Sequence, residues 1–151
     1  MNYGEMLFKQ RDRLGLTNVE LAQILGISDS LYSRYEKEKQ TIPIKHLNTL
    51  CNYFNCSIDY IFGFSKNKEY PKSKKEINKD LMRNRLRELR KENKITQKEL
   101  AISINVAAST ISDYERKENI IATPFLYQIC KKYNISADYL LGKTNYPKKL
   151  D

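Results

Sequence analysis

Residues 17–36 read TNVELAQILGISDSLYSRYE, and 79 positions later residues 96–115 read TQKELAISINVAASTISDYE. Both open on Thr-x-x-Glu, in which the Thr hydroxyl takes a backbone N–H three residues on and the Glu reaches back. An apolar run at helical spacing follows and stops at Gly26 in one stretch and Asn105 in the other. Gly and Asn are the residues that most easily enter the left-handed region a sharp turn requires. A helix then restarts with Ser28 as its cap and runs to about Lys37. Each stretch thus predicts two short helices joined by a tight left-handed turn.

The same offset aligns residues 7–65 with 86–144 without a gap. Identities fall throughout, among them Leu7/Leu86, Arg11/Arg90, Thr17/Thr96, Leu21/Leu100, Ser33/Ser112, Tyr35/Tyr114 and Glu36/Glu115. They continue through Leu47/Leu126, Cys51/Cys130, Ser57/Ser136, Asp59/Asp138 and Gly63/Gly142. Such regularity predicts two copies of one domain, over 1–65 and 81–145, with a linker at 66–80 and a tail at 146–151. The linker, KNKEYPKSKKEINKD, is lysine-rich and nearly free of apolar residues, with Asp80 a candidate cap for the helix that follows. Five short helices fit each copy, so the expected class is all-α. In the first copy, helix one spans about Met6 to Arg13, with Leu7 and Leu14 on one face. Helix two offers Val19, Leu21, Ala22, Ile24 and Leu25 to the core, and helix four spans Pro43 to Asn55. Helix five is SIDYIFG (57–63), matched by SADYLLG (136–142).

The 151 residues carry 27 basic and 18 acidic side chains, a net charge of +9. Residues 1–65 hold seven of each sign, 66–80 hold six basic against three acidic, and 81–151 hold fourteen against eight. The excess lies in the linker and second copy and hints at a polyanionic partner, although lysine also serves simple solubility. No apolar run approaches the roughly 20 residues that cross a bilayer, and MNYGEMLFKQRDR has no apolar core for export. Three cysteines fit no disulfide framework, which points to a reducing cytoplasm. His46, Cys51 and Cys56 are spaced by five and share no helical face, so no metal site and no cofactor are expected. A single His, no nucleophile motif and no glycine-rich phosphate loop among five glycines argue against an enzyme.

Two helices joined in this way form a helix-turn-helix. Each copy resembles the Cro/C1-type (XRE, lambda-repressor-like) helix-turn-helix family, in the pattern T-[QN]-x-x-L-A-x-x-x-[GN]-[IV]-x-x-S-x-[IY]-S-x-Y-E. The likeness extends through PxxxLxxLxxxFN (43–55) and the fifth helix, and covers about four-fifths of the chain. It implies two tandem five-helix domains that act as a double-stranded DNA-binding regulator of transcription, a repressor that occludes a promoter. Tandem copies would cover two half-sites from one chain, as a dimer of single-domain proteins does. A homodimer and a regulatory protein partner also stay open. So does a second function, a protein-interaction module such as an antitoxin or antirepressor partner.

The resemblance places the third helix of each copy in the major groove. The readers it implies are Asp29, Ser30, Ser33 and Arg34, with Ser28 beside them, and Ala108, Ser109, Thr110, Ser112 and Asp113 in the second copy. Thr17, Asn18, Thr96 and Gln97 would face phosphate at the start of the second helix, as would Lys37, Lys39, Arg116 and Lys117 beyond the third. Arg11 with Glu36, and Arg90 with Glu115, look like the family's intradomain ion pair. Arg34 suits a bidentate contact with guanine, whereas Asp113 has nothing to offer it. The arginines and lysines at 83, 85, 87, 90, 91 and 94 lead to an expected division of labour. Copy one supplies more of the base readout and copy two more of the sequence-independent phosphate attraction. Both copies depart from the pattern after the Tyr-Glu pair, where Glu38 and Lys117 stand in place of the usual Gly.

Overall fold

The computed structural model describes residues 1–70 and 72–149, and among them all regular structure is helical. The tail expected at 146–151 therefore lies partly outside the described residues. The first repeat contains α1 (Tyr3–Arg13), α2 (Asn18–Leu25), α3 (Asp29–Glu36), α4 (Ile44–Tyr53) and α5 (Ile58–Ile61). The second contains α6 (Lys79–Glu92), α7 (Gln97–Ser103), α8 (Ala108–Arg116), α9 (Thr123–Tyr133) and α10 (Ala137–Leu140). The all-α tandem architecture expected from the repeat is the one observed.

Backbone conformation repeats as closely as sequence does. Gly26 and Asn105 sit at φ 68° and 58°, and Asn55 and Asn134, which follow α4 and α9, at 52° and 51°. Each pair is 79 apart. The loop after the third helix breaks the rule: Glu38 is left-handed at φ 55°, while its counterpart Lys117 is extended at φ −98°. Glu38 takes the conformation that the missing glycine would have supplied without strain.

Several sequence expectations shift. Leu14 is the C-cap of α1 and half exposed, because the buried face of α1 is made by Tyr3, Leu7 and Gln10. In α2 only Leu21 and Ala22 are buried, with Leu25 packed beside them; Val19 and Ile24 face outward. At about 100° per residue, Leu25 projects between Leu21 and Ala22, while Val19 and Ile24 fall about 60° to either side. The first helix starts at Tyr3, not Met6, and Pro43 is the N-cap of α4 rather than its first residue. Asn78, not Asp80, caps α6: its Oδ1 accepts the Leu81 N–H at 3.0 Å, and Asp80 instead pairs with Arg83.

The two repeats are packed together through their fifth helices. The buried Asp138 carboxylate accepts the Ile58 and Asp59 amides at 3.1 and 2.8 Å, and the buried Asp59 carboxylate accepts the Ala137 amide at 2.7 Å. Residues 58 and 137, like 59 and 138, are equivalent positions, so the exchange runs in both directions about an approximate two-fold. The segments after α5 and α10 fold back alike: Ser57 N–H donates to Lys68 C=O at 2.5 Å and Ser136 N–H to Pro147 C=O at 2.9 Å. Tyr70, from the expected linker, is buried with its hydroxyl on Asp59 and Ser136. Thr123 donates to Ile42 C=O, and the buried Lys143 ammonium donates to Asn48 Oδ1 at 2.6 Å. Tyr127 of the second repeat stacks on Phe64 and meets Phe62 edge-on.

Candidate nucleic-acid interface

The helix-turn-helix of each repeat is fixed by side-chain caps and one ion pair. Thr17 accepts the Glu20 amide at 3.2 Å while Glu20 accepts the Thr17 amide at 3.2 Å. Thr96 and Glu99 repeat the exchange at 3.0 and 3.1 Å. Both Thr hydroxyls are therefore spent on the helix start, which leaves the remaining first-turn N–H groups of α2 and α7 as donors. Ser28 accepts the Leu31 amide at 3.1 Å, whereas Ala107 gives α8 no side-chain cap.

Beneath the turn, Arg11 grips Glu36 with two hydrogen bonds of 3.1 and 2.8 Å and donates to Leu16 C=O at 3.0 Å. Arg90 does the same to Glu115 at 2.9 and 3.0 Å and reaches Ile95 C=O. The carboxylate raises the pKa of each guanidinium against the opposing effect of partial burial. Bidentate geometry ties the first helix to the end of the third and so sets the angle at which the third helix is presented. Gly4 brings α1 and α3 together, since a Cβ there would lie 2.0 Å from Glu36 O. Its counterpart is Arg83, which donates to Lys117 C=O at 3.3 Å.

On α3, Asp29, Ser30 and Arg34 are exposed and Ser33 half-buried. Their spacing gathers them within about 140° of the helix surface. Tyr32 and Tyr35 take the opposite side into the core, and Leu31 packs partly against it. The Arg34 guanidinium is steadied by Gln40, whose Oε1 accepts from Nε at 3.2 Å. Gln40 also donates its backbone N–H to Arg34 C=O at 3.3 Å. Nothing in the sequence singled out Gln40, because the loop that returns it to Arg34 depends on the left-handed Glu38.

The α8 face is different. Ala108 and Ser109 are exposed, while Thr110, Ser112 and Asp113 are half-buried. Asp113 lies 3.3 Å from the Lys117 ammonium and 3.8 Å from the Arg116 guanidinium. Lys37, Lys39, Arg116 and Lys117 are all exposed beyond the third helices. Asn18 and Gln97 open α2 and α7, but they are placed differently. Gln97 Nε2 donates to Glu115 at 3.3 Å, whereas Asn18 Oδ1 is buried with no hydrogen-bond partner among the described residues.

The basic cluster on α6 is only partly available to a ligand, a correction to the division of labour expected from sequence. Arg85 is buried, donates to Tyr139 C=O, Thr144 C=O and Asn145 Oδ1, and lies 3.9 Å above the Tyr139 ring. It anchors the segment after α10. Arg90 is committed to Glu115 and Arg83 to Asp80. Lys91 and Lys94 remain exposed, and Arg87, which bonds Asn84, is half-buried.

A family model described as helix-turn-helix matches residues 7–61 and again 86–140. The chain is similar to the HTH-type transcriptional regulator ImmR of Bacillus subtilis (strain 168), 42% identical over 65 residues. That match covers 43% of this chain and 51% of ImmR. It is also similar to the uncharacterized HTH-type transcriptional regulator YobD of the same organism, 38% identical over 63 residues, which are 42% of this chain and 56% of YobD. The chain thus spans about half the length of the curated relatives it matches. No solved structure matches it.

Proposed function

The chain belongs to the helix-turn-helix family in both halves, and from that premise we propose that it binds double-stranded DNA and regulates transcription. The observation that carries this reading is the α3 face. It offers an exposed guanidinium held by Gln40, a carboxylate and two hydroxyls on a helix locked to α1 by Arg11 and Glu36. Arg34 pairs with guanine O6 and N7, Asp29 accepts from cytosine N4, and the serine hydroxyls serve either donor or acceptor edges. Lys37 and Lys39 neutralise phosphates beyond the helix, and the first-turn amides of α2 meet another. No chemistry is required: occupancy of the groove excludes competing proteins, so the regulator acts as a repressor. The two relatives are named as transcriptional regulators, which agrees.

Footprinting on the DNA flanking its own gene tests the reading. A protected segment whose affinity falls steeply with salt, by about one logarithmic unit per phosphate contact for each decade of salt, supports it. Uniform weak binding to every duplex overturns it. A protein-interaction role rests on the outward Val19 and Ile24 of α2 and Ile102 of α7. In that case association would be insensitive to salt and to Arg34→Ala.

A further inference from the structure

We infer that a single chain is a complete recognition unit for a non-palindromic duplex, whose two unlike half-sites are read at one fixed spacing by α3 and α8. The inference rests on the DNA-binding reading above and adds the class of target.

Three sets of observations carry it. The first is the joint. Asp59 and Asp138 each cap the other repeat's fifth helix from buried positions, and Thr123, Lys143 and Tyr127 add bonds and aromatic packing across it. The second is the segment between the repeats, which is strapped to both. Lys74 N–H donates to Lys143 C=O at 2.8 Å, and Asn78 N–H to Leu141 C=O at 2.9 Å. Lys75 C=O accepts from Asn48 and Asn52 at 3.0 and 2.8 Å. Residues 72–80 thus act as part of the joint and not as a free tether. The equivalence of 58 with 137 and of 59 with 138 makes this joint an approximate two-fold, the relation that duplex half-sites themselves obey.

The third set is the difference between the reading faces. Where α3 has Asp29, Leu31 and Arg34, α8 has Ala108, Thr110 and Asp113. Arg34 stands exposed with Gln40 beside it, while Asp113 is held by Lys117 and Arg116. Guanine selection therefore belongs to the α3 half-site. The α8 half-site is left to a thymine methyl against Ala108 and to the Ser109 and Thr110 hydroxyls. A perfect inverted repeat would set one copy on the wrong bases, at roughly tenfold loss per mismatched pair. Nor does a second chain have a fifth-helix surface to pair with, because α5 and α10 already occupy each other.

Selection of full-length protein on a random duplex pool tests this. The expected motif has two different blocks about one helical turn apart, bound by one chain in native mass spectrometry. Inserting five base pairs between the blocks turns one to the opposite side of the duplex and lowers affinity by about 10²-fold. Arg34→Ala relaxes the preference in one block only, and Thr110→Ala in the other only. An inverted-repeat motif bound by two chains overturns the inference while leaving the DNA reading intact. So does a single block indifferent to the insertion. A pool without enrichment overturns both.

Discussion

Asp59 and Asp138 each serve as a helix cap for the repeat they do not belong to. Asp138 accepts two amides from the start of α5, at 3.1 and 2.8 Å, and Asp59 accepts the Ala137 amide at the start of α10, at 2.7 Å. Neither carboxylate has measurable exposure. Two small domains that could fold alone are thereby made to share their polar contacts, with each copy completing the other.

Removing either carboxylate should loosen the joint before it unfolds a domain. Asp138→Ala leaves the Ile58 and Asp59 amides unsatisfied, at a cost of about 1–3 kcal/mol for each buried group. The expected outcome is an unchanged far-UV circular dichroism spectrum, a larger radius of gyration by small-angle scattering, and two thermal transitions in place of one.

The joint should also weaken as pH rises. Burial, and then the neighbouring Asp59 carboxylate, push the Asp138 pKa up to about 7 against the opposing pull of Lys143 and of the Asp59 and Ile58 amides. The folded state therefore binds a proton that the unfolded chain releases near its ordinary value of 3.8. Stability from this group is full below about 3.8, is lost as pH climbs from there to about 7, and levels off above. His46 works the other way. Burial lowers its pKa, so its contribution grows as pH rises through its unfolded value of 6.5. Asp138→Asn should remove the decline between about pH 3.8 and 7 and leave the His46 rise, as read by melting temperature across buffers.

The two intradomain ion pairs should differ in sensitivity. The Glu115 side chain is 2% exposed and accepts from Gln97 as well as Arg90, whereas Glu36 is 10% exposed and accepts from Arg11. Breaking a buried pair from one side costs about 3–5 kcal/mol. Glu115→Gln should reach that range in urea unfolding, and Glu36→Gln should fall below it.

Arg34→Ala should cost about 1–3 kcal/mol on the selected duplex and little on a scrambled one. Gln40→Ala, which removes only the partner that steadies the guanidinium, should shift the same measurement in the same direction by less. Equal losses on both duplexes would place Arg34 on a phosphate.

Gly4→Ala should destabilise the first repeat by about 1–3 kcal/mol, since the added methyl meets the Glu36 carbonyl and α1 must move away from α3. The same step changes nothing in the second repeat, where position 83 is already arginine.

Much of this was legible in the residues. The Thr-x-x-Glu boxes, the Gly26 and Asn105 turns and the Ser28 cap are local devices, each complete within four or five residues. Local chemistry reports them faithfully. Burial on short helices was less legible. Val19, Ile24 and Leu14 are apolar and near the right period, yet an eight-residue helix buries only one narrow stripe. Arg85 was misread for a related reason: a basic residue on a basic helix looks solvent-facing until the segment after α10 is seen to wrap it.

Residue order alone establishes the helix-turn-helix frame, its duplication at an offset of 79, and the chemical difference between α3 and α8. All of these follow from spacing and side-chain type along a continuous chain. Tertiary structure alone decided what Asp59 and Asp138 do, that residues 72–80 are bound to both repeats, and that Gln40 stands beside Arg34. Those relations join atoms up to 80 positions apart. A carboxylate reads the same in sequence whether it caps its own helix, faces water or completes a neighbouring domain; only the partner that folding brings to it makes the difference.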